Sequence, residues 1–397
     1  MIRVHRIALD PNDVQATALA RSAGTARFAW NWALAEWTRQ YAADGTPTEA
    51  ALRRQLNAIK RVDFPWMLDV SKAVPQQAIK DLGAAFKRFF RGEARYPRFK
   101  KKGKSRNGFR ADNGPGTVTV SGRRIKLPKL GRLRLRERPR FTGTIKSAIV
   151  SREADRWFVA VSVDTDETPD VAAATGTGTV GVDLGVKALA TLSDGTRIDG
   201  PKALAANLKK LRRLSKAHSR KQRGSANKKK SAAKLARLHR RIANIRKDAL
   251  HKLTSDLVKN HDRIVIEDLN VKGMMANGRL ARHIADVGFR EFRRQLGYKA
   301  EWAGIEVMVA NRWFPSSKTC SKCSQKSDNL TLNDRAWICG GCGTRHDRDI
   351  NAARNLKTLA ASSAVSACGE DRAGARPRGV RETASGKQEP NSRFAHV

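Results

Sequence analysis

Three carboxylates lie where the sequence pattern ends a strand or begins a helix. Asp183 ends the apolar strand of VGVDLG, Glu267 lies in IVIEDLN, and Asp349 opens DINAARNL. Carboxylates that converge in a mixed sheet can hold two Mg²⁺ ions about 3.5–4 Å apart, which activate a water and stabilise the leaving oxygen of a phosphodiester. Mg²⁺ prefers hard oxygen ligands, so acids suit such a site better than His or Cys. The three residues are therefore predicted to form a two-metal site.

Two acids compete for the third position, within HDRDINAARNL. A helix is predicted to start here, and Asp347 is the natural N-cap because its carboxylate can accept N–H groups of the first turn. Asp349 would share one helical face with Ala352, Ala353 and Leu356, whose small alanines permit close approach to a sheet. We therefore predict Asp349 as the metal ligand and Asp347 as the cap.

Four of the five cysteines form a C-x₂-C-x₁₅-C-x₂-C motif made of Cys320, Cys323, Cys339 and Cys342. Two such turns can deliver four thiolates to one tetrahedral Zn²⁺ at about 2.3 Å. Four thiolates leave no open coordination position, so we predict one structural zinc ion. Cys368 stands apart, and no function is assigned to it.

The 397 residues include 79 Lys and Arg but 37 Asp and Glu, a net charge of +42. A charge this large opposes compaction and indicates a polyanionic partner, with nucleic acid as the first hypothesis. Apolar runs are shorter than the ~18–20 residues of a membrane span, and MIRVHRIALDPND lacks the apolar region of a signal peptide. Cysteines in metal-site spacing suit a reducing compartment, so a cytoplasmic protein is expected.

Two segments concentrate the positive charge. Residues 86–110 contain eleven basic residues, one acid and six aromatics, a mixture that suits single-stranded or looped RNA. Residues 201–247 contain eighteen basic residues and no acid, on a predicted helical hairpin with an apolar seam and a break at Gly224-Ser225. The candidate nucleic-acid contacts in these segments are Arg88, Arg95, Lys100, Lys101, Lys102, Arg212, Arg213, Lys228, Lys229 and Arg240.

Periodicity and turn residues predict the elements that must position these side chains. Before a linker at 165–177 we expect a strand at 2–9, a helix capped at Asp10-Pro11, helices near 49–61 and 75–91, and a β-hairpin over 147–163. After it we expect an α/β pattern, with strands at 179–183, 188–192, 263–267 and 305–310, helices near 201–259 and 284–303, and a last helix from Asp349.

The order GVDLGVKALA, IVIEDLN, CxxC…CxxC and DRDINAARNL resembles the OrfB/TnpB family of transposon-encoded proteins, relatives of the type V CRISPR effectors. ARFAWNWAL, YPRFKKKG, LPKLGRLR and ACGED resemble the same family, so the similarity covers nearly the whole chain. The resemblance implies a multidomain fold: an RNase H-like (RuvC) α/β nuclease domain with a zinc-finger insertion, a split wedge-like β-barrel and a helical recognition domain.

Mapped onto this sequence, the resemblance implies five regions. They are a wedge-like β-barrel at 1–10 and 92–170, a recognition domain at 11–91, a nuclease domain at 178–315 and 345–365 that includes the basic hairpin 201–259, a zinc-binding insert at 316–344, and a mobile tail at 366–397.

The resemblance also implies an RNA-guided DNA endonuclease with Asp183, Glu267 and Asp349 as catalytic acids. Its partners would be a transposon-derived guide RNA and a double-stranded target DNA that carries a short adjacent motif read by the protein. Lys72, Gln76 and Gln77 are candidates for reading that motif, since Gln can pair with adenine in the major groove. Two alternatives stay open: an RNA-guided binding protein that does not cut, and a transposase or resolvase that joins strands.

Overall fold

The structure is a computed structural model that describes residues 1–111, 116–165, 176, 178–331 and 334–369. The strands are β1 (Ile2–Asp10), β2 (Asn107–Arg110), β3 (Thr119–Ser121), β4 (Arg124–Leu127), β5 (Gly131–Leu135), β6 (Thr144–Glu153), β7 (Arg156–Asp164), β8 (Thr179–Asp183), β9 (Ala190–Leu192), β10 (Arg197–Ile198), β11 (Arg263–Glu267), β12 (Glu306–Ala310), β13 (Ala336–Ile338) and β14 (Arg345–Asp347).

The helices are α1 (Asp13–Ala42), α2 (Glu49–Ile59), α3 (Ala73–Phe90), α4 (Ala203–Ser219), α5 (Ala226–Asn260), α6 (Val271–Ala276), α7 (Ala281–Val287), α8 (Phe289–Ala303) and α9 (Arg348–Gly369). A short 3₁₀ helix spans Pro65–Asp69. In the part of the chain that the structure describes, no helix is both long and apolar enough to cross a membrane.

The first half of the chain combines α1–α3 with a seven-stranded sheet ordered β2-β6-β7-β1-β5-β4-β3. β1 joins its two halves because it pairs with both β7 and β5. Within the described residues no hydrogen-bonded pair connects β2 to β3, so the closed barrel remains a prediction. One hydrophobic cluster includes helix and sheet residues alike, among them Ile7, Leu34, Leu52, Phe86, Leu133 and Val159.

The start of α1 differs from the prediction. Asn12, rather than Asp10, is the N-cap, because its side chain accepts a hydrogen bond from the Gln15 N–H while the Gln15 side chain accepts one from the Asn12 N–H. This reciprocal capping box satisfies two N–H groups at once. Asp10 instead ends β1, where it forms an ion pair with Arg136 at 2.7 Å.

The second half is built on a five-stranded sheet ordered β10-β9-β8-β11-β12. β8, β11 and β12 are parallel, whereas β9 and β10 are antiparallel to their neighbours. One face packs against α5 and α8, through residues that include Val180, Val182, Ile264, Leu253 and Phe292. The other face packs against α9, where Val265 contacts Leu356 and Ala360. Both faces of the central strands are therefore covered.

The basic segment forms two packed helices, α4 and α5, separated by residues 220–225 with Ser225 as the N-cap of α5. Leu238 and Ile242 lie in the seam between the helices. The N-terminus of α4 is capped from a distance, because the Asp286 carboxylate accepts hydrogen bonds from the Leu204 and Ala205 N–H groups at 2.9–3.1 Å.

Two further predicted boundaries differ from those in the structure, and both belong to helices that pack on the five-stranded sheet. The helix expected over 284–303 is divided into α7 and α8 by Gly288, whose φ of +82° interrupts the helical backbone. α9 continues to Gly369, beyond the expected start of the tail at 366. The linker at 166–175 and the tail from 370 lie outside the described residues.

Gly181, in the centre of β8, allows α9 to lie against the sheet. A Cβ atom at this position would be 1.9 Å from the Ala353 carbonyl oxygen and 2.6 Å from the Lys357 nitrogen. Backbone atoms cannot move away as a flexible side chain can. The contact therefore requires glycine on the strand, together with the small Ala352 and Ala353 on the helix.

Replacing Gly181 with alanine should separate α9 from β8. We expect Gly181→Ala to lower the free energy of unfolding by about 1–3 kcal/mol or more, because overpacking forces backbone shifts. Gly297→Ala is the matched control, since Gly297 lies in α8 with open space around it, and alanine should stabilise that helix by about 0.5–1 kcal/mol. Denaturant unfolding measures both; equal stabilities for the two variants would contradict the packing account.

Candidate active site and metal centre

The three predicted acids meet at the carboxyl edge of the five-stranded sheet. Asp183 ends β8 and Glu267 ends β11, and the register pairs Val182 with Ile266 in these adjacent parallel strands. Side chains alternate along a strand, so Asp183 and Glu267 point to the face covered by α9. Asp349 reaches the same place from the first turn of α9. The fold thus brings together residues up to 166 positions apart in sequence.

The pKa of Asp183 is raised by its burial and by the acids next to it. Burial and the negative charges of Glu267 and Asp349 raise the pKa of Asp183 to about 8, against the opposing influence of the Arg348 and Arg335 guanidiniums. A divalent cation would relieve this repulsion, and all the donors are hard carboxylate oxygens. The residues present therefore fit a Mg²⁺ site.

Neighbouring side chains orient the other acids. The Ser316 hydroxyl donates a short hydrogen bond to Glu267 Oε1, and Arg335 lies 3.7 Å from the Asp349 carboxylate. Asp347 has the predicted capping role, because its Oδ1 accepts a hydrogen bond from the Ile350 N–H at 3.1 Å. Asp347 also forms an ion pair with Arg197. This places Asp347 in structural contacts and leaves Asp349 facing the other two acids.

The four motif cysteines form one cluster whose sulfur atoms all lie within 4.8 Å of one another. The Cys320–Cys342 and Cys323–Cys339 sulfur pairs are 3.7 and 3.5 Å apart. Four bonds of about 2.3 Å in a tetrahedron place sulfurs about 3.8 Å apart, so the cluster fits Zn²⁺. Disulfide bonds would need about 2.05 Å. The hydroxyl and N–H of Thr344 lower the pKa of the Cys342 thiol to about 6, whereas hydrogen bonds with the neighbouring cysteines raise the pKa of Cys323 to about 12.

The structure reveals supporting residues that the sequence analysis missed. The side-chain amides of Asn351 and Asn355, both buried on α9, donate to the Thr319 carbonyl at 2.7 and 2.6 Å. Asn351 Oδ1 accepts from the Ser321 N–H at 2.9 Å. These contacts fix the first CxxC turn to the helix that carries Asp349. The i,i+4 spacing of two asparagines after an acid was the available signal.

His346 is the second missed residue. Its ring is buried, its Nε2 lies 3.0 Å from Cys320 Sγ, and its centroid is 4.7 Å from that of Trp337. It therefore packs directly against the sulfur cluster.

Comparison with known proteins places the chain in a family. Residues 158–278 match the OrfB_IS605 family, described as "Probable transposase", and residues 289–356 match "Cas12f1-like, TNB domain". A Streptomyces pristinaespiralis protein named "Putative RNA-guided DNA endonuclease" is 39% identical over 98% of this chain and 96% of its own length. The chain belongs to the OrfB/TnpB family.

Further comparisons agree with the assignment to the OrfB/TnpB family. The Escherichia coli K12 protein "Putative RNA-guided DNA endonuclease InsQ" is 36% identical over 93% of this chain and 94% of its own length. The fold is shared with the Cas12f1 chain of "Cryo-EM structure of the Cas12f1-sgRNA-target DNA complex", at 16% identity and a TM-score of 0.55 over 86% of this chain and 82% of that one. Residues 1–46 match "Helix-turn-helix domain" and consist here of β1 and α1.

Three of the predicted nucleic-acid contacts of this OrfB/TnpB protein have partners within the chain. Lys100 Nζ lies 3.5 Å from the Trp30 ring centroid, Lys228 donates to the His218 carbonyl at 2.7 Å, and Arg240 donates to Asp155 at 2.9 Å. The other ten candidates lie at exposed or partly exposed positions: Lys72, Gln76, Gln77, Arg88, Arg95, Lys101, Lys102, Arg212, Arg213 and Lys229.

Because Asp183 is buried next to other acids, Asp183→Asn should stabilise the metal-free protein rather than destabilise it. In metal-free protein this variant should raise Tm, because it removes a charge that the site disfavours. The gain should be larger at pH 8 than at pH 5, since the folded carboxyl has a pKa of about 8 and the ordinary value is 3.8. Between those values only the folded state keeps the proton, so this group's contribution to stability falls as pH rises.

Thermal unfolding in EDTA at the two pH values tests this. Asp199→Asn, at an exposed acid beyond β10, is the control and should change Tm little at either pH. A lower Tm for Asp183→Asn at pH 8 would mean that the carboxylate has a stabilising structural partner instead.

Proposed function

We propose that the chain is an RNA-guided, Mg²⁺-dependent DNA endonuclease encoded by a transposon. It would bind a transposon-derived guide RNA and cleave target DNA beside a short adjacent motif. The observation that carries the proposal is the grouping of Asp183, Glu267 and Asp349 at one sheet edge, where burial and the charges of Glu267 and Asp349 raise the pKa of Asp183 to about 8. The names of the relatives and of the Cas12f1 complex support the same activity.

The three acids would hold the Mg²⁺ ions, which when bound would activate water and stabilise the leaving oxygen. Ser316 would orient the Glu267 carboxylate through its hydrogen bond. Arg335 and Arg348, which lie close enough to influence Asp183, would offset the negative charge of the site and of the scissile phosphate. Removing any acid would leave fewer oxygen ligands for the metal during the chemical step.

The strand order supports a RuvC-like, RNase H-type nuclease domain. If the five strands are numbered in chain order, their order across the sheet is 3-2-1-4-5. Asp183 and Glu267 lie on the adjacent strands β8 and β11, and Asp349 lies on α9. We propose the domain boundaries given by the resemblance, with 316–344 as a target-binding insert. One Zn²⁺ on Cys320, Cys323, Cys339 and Cys342 would be structural there, and Asn351 and Asn355 would anchor it to the nuclease domain.

Charge supports nucleic-acid partners. The exposed cations of α4 and α5 include Arg212, Arg213 and Lys229, and they would contact the backbone of a guide–target duplex, since backbone contacts supply sequence-independent affinity. Lys72 at the start of α3, with partly exposed Gln76 and Gln77, would read the adjacent motif. Base pairing by the guide would supply the remaining specificity.

Cleavage of a matched target tests the function and the choice of acid together. Protein purified with its RNA should cut duplex DNA complementary to that RNA in Mg²⁺, and Asp349→Ala should eliminate cutting while RNA and target binding persist. Asp347→Ala should cost about 1 kcal/mol of stability as a lost cap and keep substantial activity. Gel assays of cleavage and denaturant unfolding measure both variants.

Other outcomes identify the alternatives. An inactive Asp347→Ala beside an active Asp349→Ala would show that the wrong carboxylate was chosen. Only random RNA fragments after a high-salt wash would contradict a guide. A discrete bound RNA without cutting by the unmodified protein would favour a binding protein, and RNA-independent joining of DNA ends would favour a transposase.

Zinc content tests the metal centre. Elemental analysis should find one Zn²⁺ per chain, and Cys339→Ser should remove it and lower Tm, because metal binding contributes folding energy at such sites. Cys368→Ser, outside the motif, is the control and should retain the metal. Freshly purified protein without zinc would contradict the assignment.

A further inference from the structure

Trp313 is 85% exposed, more than the other exposed Trp, Trp66, at 44%. Single exposed apolar residues are common, so exposure alone assigns no function. The surroundings of Trp313 distinguish it, because it lies on a hydrogen-bonded loop whose two ends adjoin Glu267 and whose Arg312 belongs to an exposed arginine pair.

Local hydrogen bonds hold the loop of residues 311–316. Asn311 Oδ1 accepts from the Trp313 N–H at 2.9 Å, and the Asn311 carbonyl accepts from the Phe314 N–H at 3.0 Å. The Phe314 carbonyl in turn accepts from the Ser316 N–H at 2.8 Å. These bonds fix the backbone from which the exposed indole projects.

Both ends of the loop lie next to Glu267. The register pairs Ala310 of β12 with Glu267, and Ser316 returns to donate a hydrogen bond to the same carboxylate. Trp313 is three residues from Ala310 and three from Ser316, so its Cα lies within about 11 Å of the Cα of each. That distance is about three nucleotide steps of a stacked strand.

Two exposed arginines share one acid near this loop. Arg312 and Arg293 both form ion pairs with Asp268, at 2.6 and 2.7 Å, and remain 48% and 54% exposed. Two cations share one acid, so this surface is net positive, and each guanidinium has five N–H donors. An exposed ring near such cations suits a nucleotide, because the base can stack on the ring while the phosphates contact the guanidiniums.

We propose that Trp313 stacks on an unpaired base of the DNA strand being cut and so positions the scissile phosphate at the three acids. The inference rests on the proposed nuclease function. It names DNA rather than guide RNA because the strand beside the acids is the one to be hydrolysed. Arg312 and Arg293 would contact phosphates of the same strand.

Single-turnover cleavage by the RNA-bound protein tests the role. Trp313→Ala should cut about fivefold to a hundredfold more slowly, the value of one stacked base. Trp313→Phe should stay within about threefold, since it keeps a ring. Val62→Ala, which removes another large residue that is 83% exposed, is the control and should cut normally. Guide RNA retention and target binding should not change in any variant.

A second readout detects stacking without cutting. In an Asp349→Ala background, 2-aminopurine placed at successive positions near the cut should be quenched at one position, and adding Trp313→Ala should restore its fluorescence. An unmodified protein that cuts no target would overturn the proposed function. Normal cutting by Trp313→Ala would overturn only the stacking role, and so would a Trp313→Ala defect confined to guide RNA retention, which would assign the ring to RNA.

Discussion

The contact between α9 and β8 is the constraint on which the candidate site depends. Gly181 presents no side chain, so the Ala353 backbone lies where a Cβ atom would otherwise be. This close approach sets Asp349, one turn earlier on α9, beside Asp183 at the end of the same strand. The asparagines of α9 hold the cysteine-bearing segment on the other side. A small displacement of this one helix would therefore disturb the acid group and the metal centre together.

Acids are scarce in this chain, and their environments separate them into two kinds. Asp155, Asp268 and Asp347 lie against arginines, whose charge and hydrogen bonds lower the pKa of each carboxyl. Asp183 lies against other acids, and its pKa is raised. In a protein of net charge +42, a buried acid next to other acids is costly to folding, and the nearby Arg348 and Arg335 only partly offset that cost. Such groups are typical of functional sites.

Much of this site could be predicted because its signals are local. Apolar runs identified the strands that end in Asp183 and Glu267, and cysteine spacing identified the sulfur cluster. Asp347 as a cap followed from helix-start chemistry. The role of Ser316 could not be predicted, because its hydrogen bond to Glu267 joins residues 49 positions apart and leaves no periodic pattern. The i,i+4 spacing of Asn351 and Asn355 indicates a shared helix face, but it does not identify their partner Thr319, which is 32 and 36 positions away. The order of strands in a sheet is likewise set by packing between distant segments.

The same non-local contacts link the acid group to the cysteine cluster. Ser316 donates to Glu267 through its hydroxyl, while its carbonyl accepts from the Asn355 amide at 2.6 Å. Thr319, beside Cys320, accepts from both asparagines. The segment 316–320 thus runs from the hydrogen-bond partner of Glu267 to Cys320, and α9 contacts it near both ends through Asn355. Because a buried amide loses free energy when left unpaired, loosening the cysteine turn would release Asn355 and Ser316 in turn. A path of hydrogen bonds therefore joins the Glu267 carboxylate to the backbone of the cysteine turn.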